Sequence, residues 1–264
     1  MRQTILNIIL LIALLLGVTS ANAYDFTSEG IYYNIVSKDA LTCTVVKGDS
    51  PYSGDVVIPK TVTSGFLNEA ILETEEVTYK VIGIANNAFQ GCSDLTSITL
   101  SDGLETIGRS AFKNCSKLKT LSIPNSVTEI GGGYGYGVCE GCAALTSVVI
   151  GDGLKVISGY SFNGLGSLEQ VSFGKNVETI ETNAFNGCKY LVNVTFNDRL
   201  KSINSNAFVG CVSFTEITLP ASVRTIGEGA FSGCTGLTSI ILNDGLETIG
   251  RSAFKNCSKL KTLS

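Results

Sequence analysis

The stretch Ala88-Phe89-Gln90-Gly91-Cys92-Ser93-Asp94-Leu95-Thr96-Ser97-Ile98-Thr99-Leu100 decides the reading of this chain. Its Ala-Phe pair returns at Ala111-Phe112, Ala184-Phe185, Ala207-Phe208, Ala230-Phe231 and Ala253-Phe254. The starts at 88 and 111 lie 23 residues apart, and so do those at 184, 207, 230 and 253. Two copies are altered, Ser161-Phe162 and Val138-Cys139, and four extra residues fall between Ala111 and Val138. A fixed period of this length is the signature of a stacked-repeat solenoid. One coil cannot bury its own apolar side, so successive coils must stack to make a core.

Each coil reads in three parts. Ala88, Phe89, Cys92 and Leu95 are spaced one, three and three apart, which predicts one face of a short helical turn. Ile98 and Leu100 then alternate with Ser97 and Thr99, which predicts a short strand with one face in and one out. Leu104 and Ile107 bracket a second short extended piece ending at Gly108. Stacking puts equivalent residues about 4.8 Å apart. Phe89, Phe112, Phe162, Phe185, Phe208, Phe231 and Phe254 are therefore expected to form an interior column.

Before the repeats, the first 23 residues read as a secretory signal peptide: Arg2, an apolar run from Ile5 to Val18, and Ala21-Asn22-Ala23 as cleavage site. Cleavage before Tyr24 provides no Cys for lipid attachment. The product is expected to be secreted, periplasmic or on the cell surface, with no later stretch apolar enough to span a bilayer. Residues 24–84 read as a β-rich N-terminal cap, with strands at 31–35, 41–46, 55–58 and 77–81. A cap would cover the open edge of the first coil. The solenoid is expected over 85–264, as seven coils and a partial eighth.

Composition narrows the function. The formal net charge is −4, which argues against a nucleic-acid partner. The chain has no His, so the usual general base and the commonest metal ligand are missing. No nucleophile–base pair stands out, and no cofactor or metal site is expected. Cys139-Glu140-Gly141-Cys142 is a C-x-x-C, but no second pair completes a tetrahedral site. Cys92, Cys115, Cys142, Cys188, Cys211, Cys234 and Cys257 share one repeat position, with Leu165 in the vacant slot, and so read as a buried column. Asn114, Asn193 and Asn256 open glycosylation-like triplets, two of which carry a buried-type Cys, and these are discounted.

Two candidate binding features remain. The outward strand face has a first column of Ser97, Thr120, Ser147, Gln170, Asn193, Glu216 and Ser239, and a second of Thr99, Ser122, Val149, Ser172, Thr195, Thr218 and Ile241. This hydroxyl-rich surface either serves solubility and strand packing or binds a ligand, since solenoids use extended surfaces for binding. The insertion Gly131-Gly132-Gly133-Tyr134-Gly135-Tyr136-Gly137 does not fit a phosphate loop. It reads as a flexible bulge carrying Tyr134 and Tyr136 outside the core, either as a tolerated insertion or as a recognition element.

The pattern A-F-x-G-C-x-x-L-x-x-[IV]-x-[LIF]-x-x-x-[LV]-x-x-I resembles the leucine-rich repeat of BspA-like bacterial surface proteins. Residues 88–110, 111–137, 138–160, 161–183, 184–206, 207–229 and 230–252 each carry it, and 253–264 carry its first half. Gly30-Ile31-Tyr32-Tyr33 and Val57-Ile58-Pro59 are similar to the region preceding the repeats in such proteins. The resemblance implies a right-handed coil with a parallel sheet on one side. It also implies a surface-exposed or secreted protein that binds host matrix proteins or neighbouring cells, and the missing His and nucleophile–base pair leave an enzyme little room. A glycan-binding module is an alternative. Gly103 to Ser122 and Gly245 to Ser264 are identical, which is read as recent duplication or as a truncated copy that serves as a recombination donor. An uncovered last coil, with Phe254, Leu260 and Leu263, is expected to favour end-to-end self-association.

Overall fold

The computed structural model describes residues 24–68 and 73–263. The expected leader, residues 1–23, lies outside the described residues. Six strands precede the first full coil: β1 (Phe26–Ser28), β2 (Ile31–Ser37), β3 (Thr42–Val45), β4 (Gly54–Ile58), β5 (Thr61–Asn68) and β6 (Glu73–Ile84). The coils add β7 (Leu95–Leu100), β8 (Thr106–Ile107), β9 (Thr120–Ile123), β10 (Glu129–Ile130), β11 (Ser147–Ile150), β12 (Val156–Ile157), β13 (Gln170–Ser172), β14 (Thr179–Ile180), β15 (Asn193–Thr195), β16 (Ser202–Ile203), β17 (Glu216–Thr218), β18 (Thr225–Ile226), β19 (Ser239–Ile241), β20 (Thr248–Ile249) and β21 (Thr262–Leu263). Odd-numbered coil strands form one side of the solenoid and even-numbered ones another.

Sequence equivalence sets the register. Thr120 lies opposite Ser147, Ser147 opposite Gln170, and Gln170 opposite Asn193, all in parallel pairing. The short strands pair in the same way, Ile157 with Ile180, Ile180 with Ile203, and Ile203 with Ile226. Within β9 the alternation is strict: Leu121 and Ile123 are buried while Thr120 and Ser122 are exposed. A slip of one residue would expose every apolar side chain, so burial pins the register.

The corners differ from the expected helical turns. Among the described residues they are chains of tight turns, in which Gln90 N donates to Asn87 O, Cys92 N to Phe89 O and Leu95 N to Cys92 O. The intervening amides turn outward to the next coil: Phe89 N donates to Ala111 O and Gly91 N to Lys113 O, each at 2.8 Å. A helix keeps its amides within itself. Left-handed backbone at Asn87 (φ 60°) and Gly91 (φ 80°) prevents that and frees every second amide for stacking. The predicted face is nonetheless buried, since Ala88, Phe89, Cys92 and Leu95 are all at most 2% exposed.

The aromatic column is present. Ring centroids are 5.4 Å apart for Phe89–Phe112, 5.3 Å for Phe162–Phe185 and Phe185–Phe208, and 5.5 Å for Phe208–Phe231. Cys139, fully buried, occupies the slot between Phe112 and Phe162. Tyr52 extends the column below Phe89, at 4.7 Å. Burying each ring contributes about 1.5–3 kcal/mol. Beside it runs the cysteine column. From Cys115 onward each thiol of the column reaches the Phe carbonyl of the preceding coil: Cys115 to Phe89 at 3.1 Å, Cys142 to Phe112 at 3.0 Å, Cys188 to Phe162 at 3.2 Å. All nine cysteines are free thiols.

The segment before the coils joins both ladders. β3 pairs in parallel with β6, which continues to β8 and β10, and β4 pairs in parallel with β7. β2 runs antiparallel on β3, and β1 on β2. The sequence did not predict β5, which forms an antiparallel hairpin with β6. No helix among the described residues is long and apolar enough to cross a membrane.

Candidate functional site

The strand face comes first. β9, β11, β13 and β15 form one continuous parallel sheet, carrying Thr120, Ser122, Ser147, Val149, Gln170, Ser172, Asn193 and Thr195 side by side. Ser97 and Thr99 stand on β7, which pairs with β4. Glu216, Thr218, Ser239 and Ile241 stand on a separate sheet of β17, β19 and β21. The predicted face is therefore three segments, with ladder breaks after β7 and β15. All fourteen side chains are exposed or half-exposed. Ser97 is not free for a ligand: its hydroxyl donates to Asp55 at 2.6 Å, beside Thr96 at 2.9 Å. These two bonds hold the Asp55 carboxyl below its ordinary pKa. Ser122, Val149 and Ser172 line a depression of about 530 Å³ with Pro124, Asp152, Phe173 and Lys175.

Some charges on the coils pair one repeat apart. Lys117 meets Asp94 and Lys201 meets Glu178, both at 2.6 Å, and Lys175 meets Asp152 at 3.6 Å. Lys201 holds the Glu178 carboxyl below its ordinary range. Exposed pairs of this kind stabilise little.

The insertion is anchored, not free as the sequence reading expected. Gly133 N donates to Gly159 O at 2.7 Å, Tyr136 N to Gly133 O at 2.9 Å, and Ser110 N to Tyr136 O at 3.2 Å. Lys113 Nζ reaches both Gly135 O (3.2 Å) and Glu140 (3.1 Å). Gly132 packs so closely that a Cβ there would lie 2.4 Å from Gly159 O. Tyr134 is 83% exposed and Tyr136 56%. They do not lie on the strand face. A groove of about 910 Å³ runs past the ends of the short strands, lined in part by Gly131, Gly132, Gly133 and Tyr160, and the Tyr134 ring stands 5.6 Å from that of Tyr160. The groove includes Asn86, Arg109, Glu129, Glu181 and Asn204, none of which the sequence reading singled out. One signal was available: Tyr160 fills a repeat position held elsewhere by Asn, Ser or Gly.

The C-x-x-C pair carries no accessible chemistry. Cys139 and Cys142 are at most 1% exposed. Hydrogen bonding to Cys142 and full burial hold the Cys139 thiol well above its ordinary pKa, so it stays neutral and unreactive. Among the described residues, no three His, Cys, Asp or Glu side chains gather in a way that could hold a metal ion.

Coils of this period, with stacked Phe rings and a Cys column bonded to Phe carbonyls, match a known repeat model. The BspA type leucine rich repeat region matches residues 60–155 and 155–264, with six copies. The chain belongs to this BspA-type leucine-rich repeat family. Its fold is similar to that of a leucine-rich repeat protein from Eubacterium ventriosum, at 24% identity and a TM-score of 0.64, covering 85% of this chain and 52% of that one. This BspA-type chain thus spans about half the length of that relative. It is also similar to the T. pallidum leucine-rich repeat protein, at 22% identity and a TM-score of 0.59, covering 90% of this chain and 91% of that one. No curated protein matches it.

Proposed function

We propose that this BspA-type chain is an exported, non-enzymatic scaffold that binds a protein on a host matrix or on neighbouring cells through its long-strand face. The observation that carries this reading is the four-stranded sheet β9–β11–β13–β15. It presents two columns of small polar side chains, interrupted by Val149 at 46% exposure, on a rigid and regular surface. Such a surface suits protein recognition because its backbone is fixed by stacking, so little conformational entropy is lost on binding. The leader-like residues 1–23 support export, and the absence of His supports a binding role over catalysis.

The test is binding of the chain to a panel of immobilised extracellular-matrix proteins and to whole cells. Gln170→Arg combined with Thr195→Arg adds two bulky charges to the face, on the inner strand β13 and the edge strand β15. The expected result is at least about a tenfold loss of affinity with an unchanged melting temperature. Undiminished binding in that variant, with loss on deleting Tyr134 to Gly137, would move the site to the insertion.

A further inference from the structure

Tyr160 adopts a backbone conformation that its side chain disfavours. Its φ is 63°. At the corresponding place other coils have Asn87, Ser110, Asn183, Asn206, Gly229 and Ser252, all left-handed. Gly avoids the Cβ clash of this region, and Asn relieves it by local hydrogen bonding. A bulky aromatic residue there is an outlier, and such strain persists where the surroundings hold it and clusters at binding sites. Its ring meets Tyr134 edge-on, with centroids 5.6 Å apart and planes at 85°. Tyr134 is the most exposed of the large hydrophobic side chains among the described residues, at 83%, and it sits on an insertion that hydrogen bonds hold in place.

We infer that Tyr160, which lines the groove, and Tyr134, whose ring packs on it, form with that groove a binding site for a neutral oligosaccharide. Three observations select this class. The first is how little strand edge the groove offers. The short-strand ladder breaks there between β10 and β12, each of two residues. At the break, Ile130 O and Gly131 O accept from the Ser158 and Ser161 hydroxyls at 2.8 and 3.1 Å. Gly108 N, Gly131 N, Glu181 N and Asn204 N are used internally. A peptide added as a strand would find only a two-residue edge to extend.

The second observation is the polar lining. The Arg109 guanidinium and the Glu129 carboxylate form no hydrogen bond or ion pair among the described residues. Asn86 uses Oδ1 to accept from Arg109 N at 2.7 Å, which leaves its amide hydrogens available. Glu181 accepts from Gly159 N at 2.8 Å through one oxygen, which leaves the other. Planar side chains with paired donors or acceptors suit the vicinal hydroxyls of a sugar. Two carboxylates against one guanidinium disfavour an anionic ligand.

The third is the aromatic rim. Tyr rings present a negative face to the C–H bonds of a pyranose and a hydroxyl to its oxygens. A groove of about 910 Å³ lies within the range of small-ligand sites. This site is separate from the strand face, and it stands or falls independently of the protein-binding role.

The experiment titrates the full chain with neutral hexasaccharides of glucose, mannose and N-acetylglucosamine, and with a sulfated heparin hexasaccharide. Binding is read by calorimetry and by Tyr emission, which is unmasked because the chain has no Trp. At least one neutral hexasaccharide is expected to bind at up to millimolar concentration. Tyr134→Ala and Tyr160→Asn should each weaken it about tenfold or more, with melting temperature unchanged, while Gln170→Arg leaves it intact. The inference is overturned if no neutral hexasaccharide binds at millimolar concentration. It is also overturned if binding survives both Tyr variants, or if the sulfated hexasaccharide is the one that binds and loses affinity in them.

Discussion

The rings of Phe185 and Phe208 lie 5.3 Å apart with their planes within 5° of parallel, one full repeat of chain between them. Both are fully buried. Each ring fills the space above its neighbour, so the column sets the spacing of the coils and the strand face inherits it.

Truncating that column should be costly. Phe208 also touches Phe196, Phe214 and Phe231. Phe208→Ala opens a cavity that the stacked neighbours cannot close, because their backbones are tied by the ladders. The expected loss is about 3–5 kcal/mol, measured by denaturant unfolding. An unchanged midpoint would deny the column its structural role.

Tyr160→Asn should behave in the opposite way. It removes left-handed strain of about 1–2 kcal/mol and gives up an aromatic contact of about 0.5–1.5 kcal/mol. Stability within about 1 kcal/mol of the parent is expected from thermal unfolding. A large loss would mean that Tyr160 holds the coil together rather than serving its surface.

A glycine of the insertion and a glycine of a later coil have unequal roles. Gly132→Ala places a methyl group 2.4 Å from Gly159 O and should destabilise by about 1–3 kcal/mol. Gly166 has nothing within 4 Å of an added Cβ and no left-handed φ, so Gly166→Ala should be neutral or slightly stabilising. Paired melting curves distinguish the two.

The buried thiols predict how stability depends on pH. Burial pushes the Cys188 thiol up to about 12 from an ordinary value of 9.0, and Cys43 likewise to about 12. Between those values the unfolded chain loses protons that the folded chain keeps. Stability should therefore be full below pH 9.0 and fall progressively as pH rises toward 12. Cys188→Ala should flatten the fall, as read from urea midpoints across that window. At neutral pH a thiol reagent should label these cysteines only after unfolding.

Much of the fold was legible because stacking turns sequence distance into spatial neighbourhood. The Phe and Cys columns and the alternation in β9 needed only the period and the pleat. The helical turns were misread because a one-three-three spacing fits both a helix turn and a chain of tight turns. What separates them is the left-handed residue, signalled by Asn87 and Gly91. β5 was missed because Thr61–Asn68 lacks a clean alternation and contains Gly65, so only its pairing with β6 reveals it. The groove was illegible because Asn86, Arg109, Glu129, Glu181 and Asn204 come from different coils and look like ordinary surface residues one at a time. The ladder breaks after β7 and β15 have no evident sequence signal.

The central claim is that repeat-equivalent residues face one another across adjacent strands. It is tested most directly by thiol cross-linking on the strand face, with a bimane linker that spans only neighbouring strands. Ser122 lies opposite Val149, whereas Thr195 is three strands away on the same sheet. The account predicts that Ser122→Cys with Val149→Cys cross-links in the native protein and that Ser122→Cys with Thr195→Cys does not. No link in the first pair, or an equally efficient link in the second, would contradict it.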